Sequence, residues 1–316
     1  MTLGVGGTYR GTIPGQSGGT IVQFYVEGQD GLGAVSTYPA AGQDSRALYK
    51  VNDNVGHSAI DTLRLIMTPA DNSNMLVNTN IFNNSLIGST LIVNNSEVFY
   101  DVGARLKGSV SSRPVVPGSF RVRLHPDNKF RDVHDSISID RIKPVEMIIK
   151  QLFNHLGGPV SIYDDLAYSS SAPYTGIVTL QLARYDDVWA SETFANGGDG
   201  TLFEYEVVYN QTDTTGGVEG LKRAAGFDFY NGDIVDLGDR KENYRWQYQI
   251  KNQRERDDYS QIVNMAKAFS LTGTALDEAT QQVLDVDQWL QTFAMVSLSG
   301  NGDVYSAGFG PHNVHL

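Results

Sequence analysis

The chain has 316 residues, 41% of them hydrophobic and 19% charged, which suits one large or two ordinary folded domains and excludes a disordered chain. A net charge of -12 repels phosphate-rich polymers and so excludes nucleic acid as a general partner. There is no cysteine, hence no disulfide and no thiolate zinc site, and no run approaches the roughly 20 apolar residues that span a bilayer.

In chain order, "TYRGTIPGQSGGTIVQFYVEGQDGLGA" predicts a short strand, a Gly/Pro turn and an alternating run in which Ile21, Gln23 and Tyr25 oppose Val22, Phe24 and Val26. A lone hairpin is marginal in water, so residues 1–44 are expected to be the last strands of a truncated β-sandwich. "EVFYDVGARLKG" predicts a long strand, with Val98, Tyr100 and Val102 on one face and Phe99, Asp101 and Gly103 on the other. "SFRVRL" is its partner across a Ser/Pro/Gly loop.

"KPVEMIIKQLFNHLGG" predicts a helix that opens at Pro144 and ends at Gly157-Gly158, with an apolar stripe of Val145, Ile148, Ile149, Leu152 and Leu156. Strands follow at "TGIVTLQLARY" and "TLFEYEVVYN". Then come a polar Gly-rich insertion around 210–240 and three helices, "DDYSQIVNMAKAFS", "LDEATQQVL" and "VDQWLQTFAMVSL". Strands early and helices late predict an α+β architecture with segregated lobes. No GxGxxG or GxxxxGK[ST] motif is present, which argues against the common nucleotide folds.

Two constellations carry chemistry. Arg105, Lys107 and Arg113 bracket a Gly-Ser loop that includes Ser112, and Arg121 and Arg123 continue the cations on the next strand. Cations beside hydroxyl and amide donors suit a polyphosphate, and an ordinary solvated hairpin loop is the alternative. Near the end, Asp303 precedes the pair His312-Asn313. Its carboxylate and the Asn313 amide oxygen are hard ligands suited to Mg²⁺ or Mn²⁺, in the pattern that phosphoryl-transfer enzymes use, and a plain Gly-Asp turn is the alternative. "NGGDGT" at 196–201 lacks the spaced acids of a calcium loop, His125 and His134 have no third ligand in view, and no G-x-S-x-G elbow occurs.

These segments, in this order, resemble the CotH (spore-coat protein H-like) kinase family, in its bacterial multidomain surface or exported subgroup. "YDVGARLKGSVSSR", "GSFRVRLHPDNKFRDVHDSISIDR", "GIVTLQLARYDD", "DGTLFEYEVVY", "YRWQYQIKNQRERDDYSQI", "DVDQWLQTFAM" and "GNGDVYSAGFGPHNVHL" carry the likeness over residues 45–316. The resemblance implies an atypical protein-kinase-like bilobal fold, with a β-rich N-lobe and a helical C-lobe, preceded by a partial Ig-like β-hairpin in residues 1–44. It implies transfer of phosphate from ATP, with Mg²⁺ or Mn²⁺, to a Ser/Thr-rich protein, and an extracytoplasmic or cell-surface setting beside Ig-like domains of the same parent chain. By position, Asp303 matches the catalytic-loop acid and Asn313 the metal-holding amide. Arg105, Lys107, Ser112 and Arg113 match the phosphate-side loop, and Arg121 is the candidate to replace the family's Pro-Lys, which here reads Pro117-Gly118.

The family's Trp-Asp-x-Asp stretch, source of the second metal ligand, would follow Leu316. The expectation is therefore a chain cut at both ends, with an incomplete metal site and impaired transfer. The rival expectation is a non-catalytic structural or adhesive module of a bacterial surface protein. A glycan-binding role rests only on Trp189, Trp246 and the tyrosines.

Overall fold

The computed structural model describes residues 1–316 except 57–58, 110–111, 115–117, 142–143, 159–163, 173, 183–184, 229–231, 306 and 309–311. Pro117 lies outside the described residues. Seven strands close into a barrel: β1 (Asp61–Ile66), β2 (Ile87–Val93), β3 (Glu97–Leu106), β4 (Phe120–Arg123), β5 (Ser136–Arg141), β6 (Asp165–Ser171) and β7 (Tyr174–Gln181). Around the circle the order is β4-β5-β7-β6-β1-β2-β3, with β3 returning to β4. Every neighbouring pair is antiparallel except β6 and β1, which run parallel with Ser169 opposite Leu63.

Alternation explains the closure. Leu63, Leu65, Leu91, Phe99, Phe120, Val122, Ile137, Ile139, Val178 and Leu180 are buried in one cluster and fill the interior, as a small barrel requires. At one end the helix α1 (Pro69–Leu76) plugs the opening. Thr68 caps it by accepting from the Asp71 amide at 3.1 Å, Pro69 occupies its first turn, and Met75 joins the core.

The parity of β3 changes partway along. Leu91 lies opposite Phe99 but Ser89 lies opposite Val102, so Tyr100 and Asp101 form a β-bulge, with Asp101 in the left-handed region at φ 54°. Phe99 points inward, and beyond the bulge Val102, Ala104 and Leu106 do so instead of Asp101 and Gly103. The uninterrupted alternation expected from the sequence is thus corrected. Arg105 and Lys107 consequently project from the outer wall.

The chain's earlier residues pack outside the barrel. Tyr9–Arg10 pairs with Thr2–Leu3, Ile21–Gln23 pairs with Leu48–Lys50, and Val26–Gln29 pairs with Val35–Tyr38. The hairpin expected between the first strand and residues 21–26 is therefore not formed. Leu48 joins Ile66 and Ile92 in a small outer cluster, and its amide donates to Thr90 Oγ1 at 2.9 Å.

Beyond the barrel, β8 (Phe203–Tyr205), β9 (Tyr248–Ile250) and β10 (Val314–His315) form a three-stranded sheet with β8 central. With α4 (Ser260–Phe269) it builds a second, tyrosine-rich core around Tyr205, Tyr244, Tyr248, Tyr259 and Ile262. Other helices are α2 (Pro144–His155), α3 (Asp187–Thr193), α5 (Thr274–Val283) and α6 (Val286–Ser299). The α2 helix is present as its pattern predicts, but Val145, Ile148, Leu152 and Leu156 are exposed, while Glu146, Met147 and Lys150 are half-buried. No helix among the described residues is long and apolar enough to cross a membrane.

This architecture overturns the expected kinase-like bilobal fold with a helical C-lobe. The parallel pairing of β1 with β6 turns what would be an open β-rich lobe into a closed barrel, and the second core is built on a three-stranded sheet rather than on helices alone. The chain is a mixed α/β protein.

Arg131 clamps the parallel seam, donating to Asp61 and to Asp165 at 2.8 Å each while lying over the Phe130 ring. Hydrogen bonds from Asn94 and from Arg131 hold the Asp61 carboxyl below its ordinary value of 3.8. A depressed acid contributes stability that is complete above its unfolded pKa and is lost as pH falls through its folded pKa. All three side chains are substantially exposed, so Arg131→Gln should cost only about 1 kcal/mol in urea denaturation at pH 7. The difference from the parent should vanish as pH drops below the ordinary aspartate range.

Candidate functional site

The outer wall of β3, β4, β5 and β7 is polar, yet much of it is buried. Ser138, Asp140 and Thr179 are buried there, and each needs a partner because a desolvated polar group is costly without one. Lys107 Nζ donates to Asp140 Oδ2 and to Gln181 Oε1, and Arg121 donates to Ser138 Oγ at 3.0 Å. Gln181 passes the network on to α2, donating to Glu146 Oε1 at 2.8 Å.

From α2, Lys150 reaches Glu146 at 3.3 Å and Asp164 at 2.5 Å. The Asp164 side chain is 3% exposed and that of Lys150 is 18% exposed. Burial alone would lower the Lys150 ammonium, but the hydrogen bond and charge of Asp164 together raise it above its ordinary value. The phenol of Tyr185 adds to that effect.

Arg105 and Arg113 take a second route. Both donate to the one carboxamide oxygen of Asn84, at 3.0 and 2.8 Å. Arg113 is buried, lies over Phe82 and donates through Nε to the Gly108 carbonyl at 2.9 Å, which pins the loop. Burial first, and then the neighbouring Arg105 charge, pull its guanidinium below the ordinary value. Ser112 Oγ closes the same turn by accepting from the Ser109 amide at 2.8 Å. Gly108 adopts φ 123°, and a Cβ there would meet Ser112 Oγ at 2.4 Å, so this turn needs glycine.

The acid arrives from the far end of the sequence. Asp285 caps α6 by accepting from the Gln288 amide, and Gly300 ends it in the left-handed region at φ 63°. Asp303–Val304 then pairs with Ala307–Gly308. His312 Nε2 lies 2.7 Å from Asp303 Oδ1, and Asn313 Nδ2 donates to the Asp303 carbonyl at 2.9 Å. Both neighbours are fixed because β10 follows at once and pairs with β8, Glu204 opposite His315 and Tyr205 opposite Val314. His312 is buried while the Asp303 side chain is 74% exposed, so the carboxylate is anchored and remains open to solvent.

Charges from both constellations contribute to the electrostatics of Tyr209. Burial raises its phenol first, the charges of Glu206, Asp303 and Glu204 raise it further, and the charge of Arg113 opposes them. Elsewhere, Tyr185 packs on His315 with ring centroids 4.4 Å apart, and His315 lies 3.9 Å from Glu204. Glu206, raised chiefly by burial, senses Glu204, His312 and Asp303 in turn. Lys107 itself is held by the barrel wall rather than by Asp303. Asn84, Glu146, Glu206 and Tyr209 carry no motif, and only topology assembles them.

The weaker candidates resolve simply. Asp199 of the 196–201 turn pairs with Arg256 at 2.8 Å, and Trp189 is buried against Tyr185 and Phe194. Among the described residues, no group of three or more His, Asp or Glu could hold a metal ion.

Two measurements check this electrostatic layout. Removing one partner of a buried pair leaves an uncompensated charge, so Lys150→Met should cost roughly 3–5 kcal/mol. The double variant Lys150→Met/Asp164→Leu should recover most of that loss in thermal or urea unfolding. His315 is lowered to about 4, chiefly by burial and also by Lys251, whereas the unfolded imidazole titrates near 6.5. Between those values the unfolded chain binds more protons, so stability should fall by about 3 kcal/mol as pH drops from 6.5 to 4. His315→Phe should flatten that slope. No protein-family model matches the chain, and no curated protein matches it either.

Proposed function

We propose that the chain is a phosphotransferase module that moves a phosphoryl group from a nucleoside triphosphate to a protein hydroxyl. The feature that carries this reading is that Arg113 of the cationic hairpin and Asp303 of the C-terminal loop, 190 positions apart, both contribute to the electrostatics of the Tyr209 phenol. A further support is the resemblance to CotH kinase-like proteins, which includes both segments.

In this reading Arg105 and Arg113 face the phosphates, where guanidinium groups make charge-assisted hydrogen bonds. Lys107 and Arg121 add positive charge on the adjoining wall. Asp303 Oδ2 takes the proton of the acceptor hydroxyl, while His312 fixes the carboxylate through Oδ1. The hydroxyl oxygen attacks the terminal phosphorus, the bond from that phosphorus to the bridging oxygen breaks, and the nucleoside diphosphate leaves with the electron pair.

Mg²⁺ delivered with a nucleotide is held by one or two protein oxygens beside the phosphates. Asp303 and Asn313 are adjacent and supply that number, so the residues fit a metal that arrives with its nucleotide rather than a resident ion. When bound, Mg²⁺ or Mn²⁺ would neutralise phosphate charge during transfer. A protein rich in Ser and Thr is the proposed acceptor, outside the cytoplasm or at the cell surface.

One observation favours the rival, a structural module of a surface protein. Arg113 and Lys107 are both already engaged by groups of the chain itself, the Gly108 carbonyl and Asn84 for one and Asp140 and Gln181 for the other. The two readings separate in one assay. Phosphotransfer predicts incorporation of labelled terminal phosphate into a Ser/Thr-rich protein, reduced by a factor of about 10²–10⁴ in Asp303→Asn. Calorimetry that finds no affinity for ATP with either metal would leave the structural reading standing.

A further inference from the structure

We infer that the outer faces of α2 and α6 together form an interface with a second copy of this chain, the apolar stripe of α2 on one copy lying against the stripe of α6 on the other. The inference stands apart from the phosphotransfer reading and rests on surface that the barrel and the second core leave uncovered.

The two helices lie in contact, and each shows water an apolar stripe. On α2 these residues are Val145, Ile148, Leu152 and Leu156, which are 63%, 59%, 49% and 51% exposed. The stripe faces out because Glu146 and Lys150 are turned in, toward Gln181 and Asp164. On α6 Val286, Leu290 and Leu298 are 37%, 60% and 83% exposed, and Ala294 between them is exposed as well. The inward side of α6 is also apolar: Trp289 packs edge-on against Phe269, Phe293 and Tyr305, and Met295 and Val296 are buried. A helix that is apolar all round belongs in an interior, and α6 is covered on one side alone.

Size and charge name the occupant. From their fractional exposures these side chains leave on the order of 700 Å² of apolar surface in water, against roughly 300–600 Å² for the largest patch of a typical monomer and roughly 800 Å² per partner in a stable interface. The chain carries a net charge of -12, so a basic partner would be drawn to its acids. This face gives such a partner little to hold: α6 has no charged residue after Asp287, and the polar exposed positions of α2 are Gln151, Asn154 and His155. Two copies of an acidic protein approach at least cost where neither presents a charge, and these stripes meet that condition on both sides.

The stripes also suit each other. Ile148, Leu152 and Leu156 step by four residues along α2 and its last turn, and Val286, Leu290, Ala294 and Leu298 do so along α6. Each is therefore a ridge of the i±4 kind, and two such ridges interdigitate at a crossing angle of about -50°, the commonest packing of helices in globular proteins. Ala294 lowers the middle of its ridge, which lets the facing helix approach. With α2 of one copy on α6 of the other and the converse, the contact is made twice about a two-fold axis and closes on a dimer.

The test is sedimentation equilibrium of the full chain over a range of concentrations. A reversible dimer with a Kd of about 10⁻⁶ M or tighter is expected, as for other interfaces of this size. Leu152→Glu on α2 and Leu290→Glu on α6 each place a carboxylate in the contact and should weaken association at least about tenfold. Leu32→Glu, at a 96% exposed position in the turn between Val26–Gln29 and Val35–Tyr38, should leave it unchanged. All three positions are exposed in a single copy, so dilute samples of the variants should keep the parent's melting curve. Raising NaCl from about 0.05 to about 0.5 M should tighten the dimer, because salt screens the repulsion between two acidic bodies without loosening an uncharged contact. A chain that stays monomeric at about 100 μM, undiminished association in either helix variant, or species that grow beyond a dimer overturns the inference. Association that weakens with salt also overturns it, since an ion-paired surface would then be holding the copies together.

Discussion

One backbone irregularity decides which way the chemistry faces. In β3 the side chains alternate between the barrel interior and its outer wall, and without the bulge at Tyr100–Asp101 the face that holds Phe99 would also hold Arg105 and Lys107. Two cations inside an apolar barrel would be prohibitively costly. The extra residue shifts the register, sends Val102, Ala104 and Leu106 inward and presents the cations outward. Its left-handed Asp101 is also used, since the carboxylate accepts from the Arg46 amide and so fastens the segment before β1 to the barrel.

The polar wall that results determines how α2 docks. With Ser138, Asp140 and Thr179 buried on the outside of the barrel, the covering helix must supply polar partners, and it turns Glu146 and Lys150 inward at the cost of leaving much of its apolar stripe exposed. This inverts the usual amphipathic arrangement. The ion pairs here are weak as a source of net stability because desolvation offsets most of their attraction. Their effect is specificity of placement, since each carboxylate or ammonium has a defined partner and a shifted helix would strand them.

Much of this was legible in the sequence, and the parts that were not share a cause. The strand at 97–106, the helix from Pro144 and the three late helices follow from local periodicity and turn residues, which a linear reading captures. Asp303, His312 and Asn313 stand out in the sequence as a group with metal-ligand chemistry, but the hydrogen bonds that join them are a finding of the structure. Closure of the barrel depends on β1 meeting β6 in parallel, with no short-range signal, and the bulge in β3 is invisible to a strict alternation. Asn84, Glu206 and Tyr209 stand alone in the sequence and acquire meaning only when the second sheet is set against the barrel. The expected helical lobe failed for the same reason: β8, β9 and β10 are short, and the pairing that makes them one sheet joins residues as far apart as 204 and 315.

The seam between β1 and β6 has a consequence for how the chain is made. The Leu65 amide waits for a hydroxyl at Ser171, so a chain emerging from the ribosome displays β1 with one naked edge until more than a hundred further residues have been translated. Such an edge can recruit any extended neighbour. Arg131 emerges well before Asp165 and already has a partner in Asp61, which places a bulky charged group at the rim of the unfinished sheet. The residue that later fastens the finished barrel is thus also placed to shield its gap during translation.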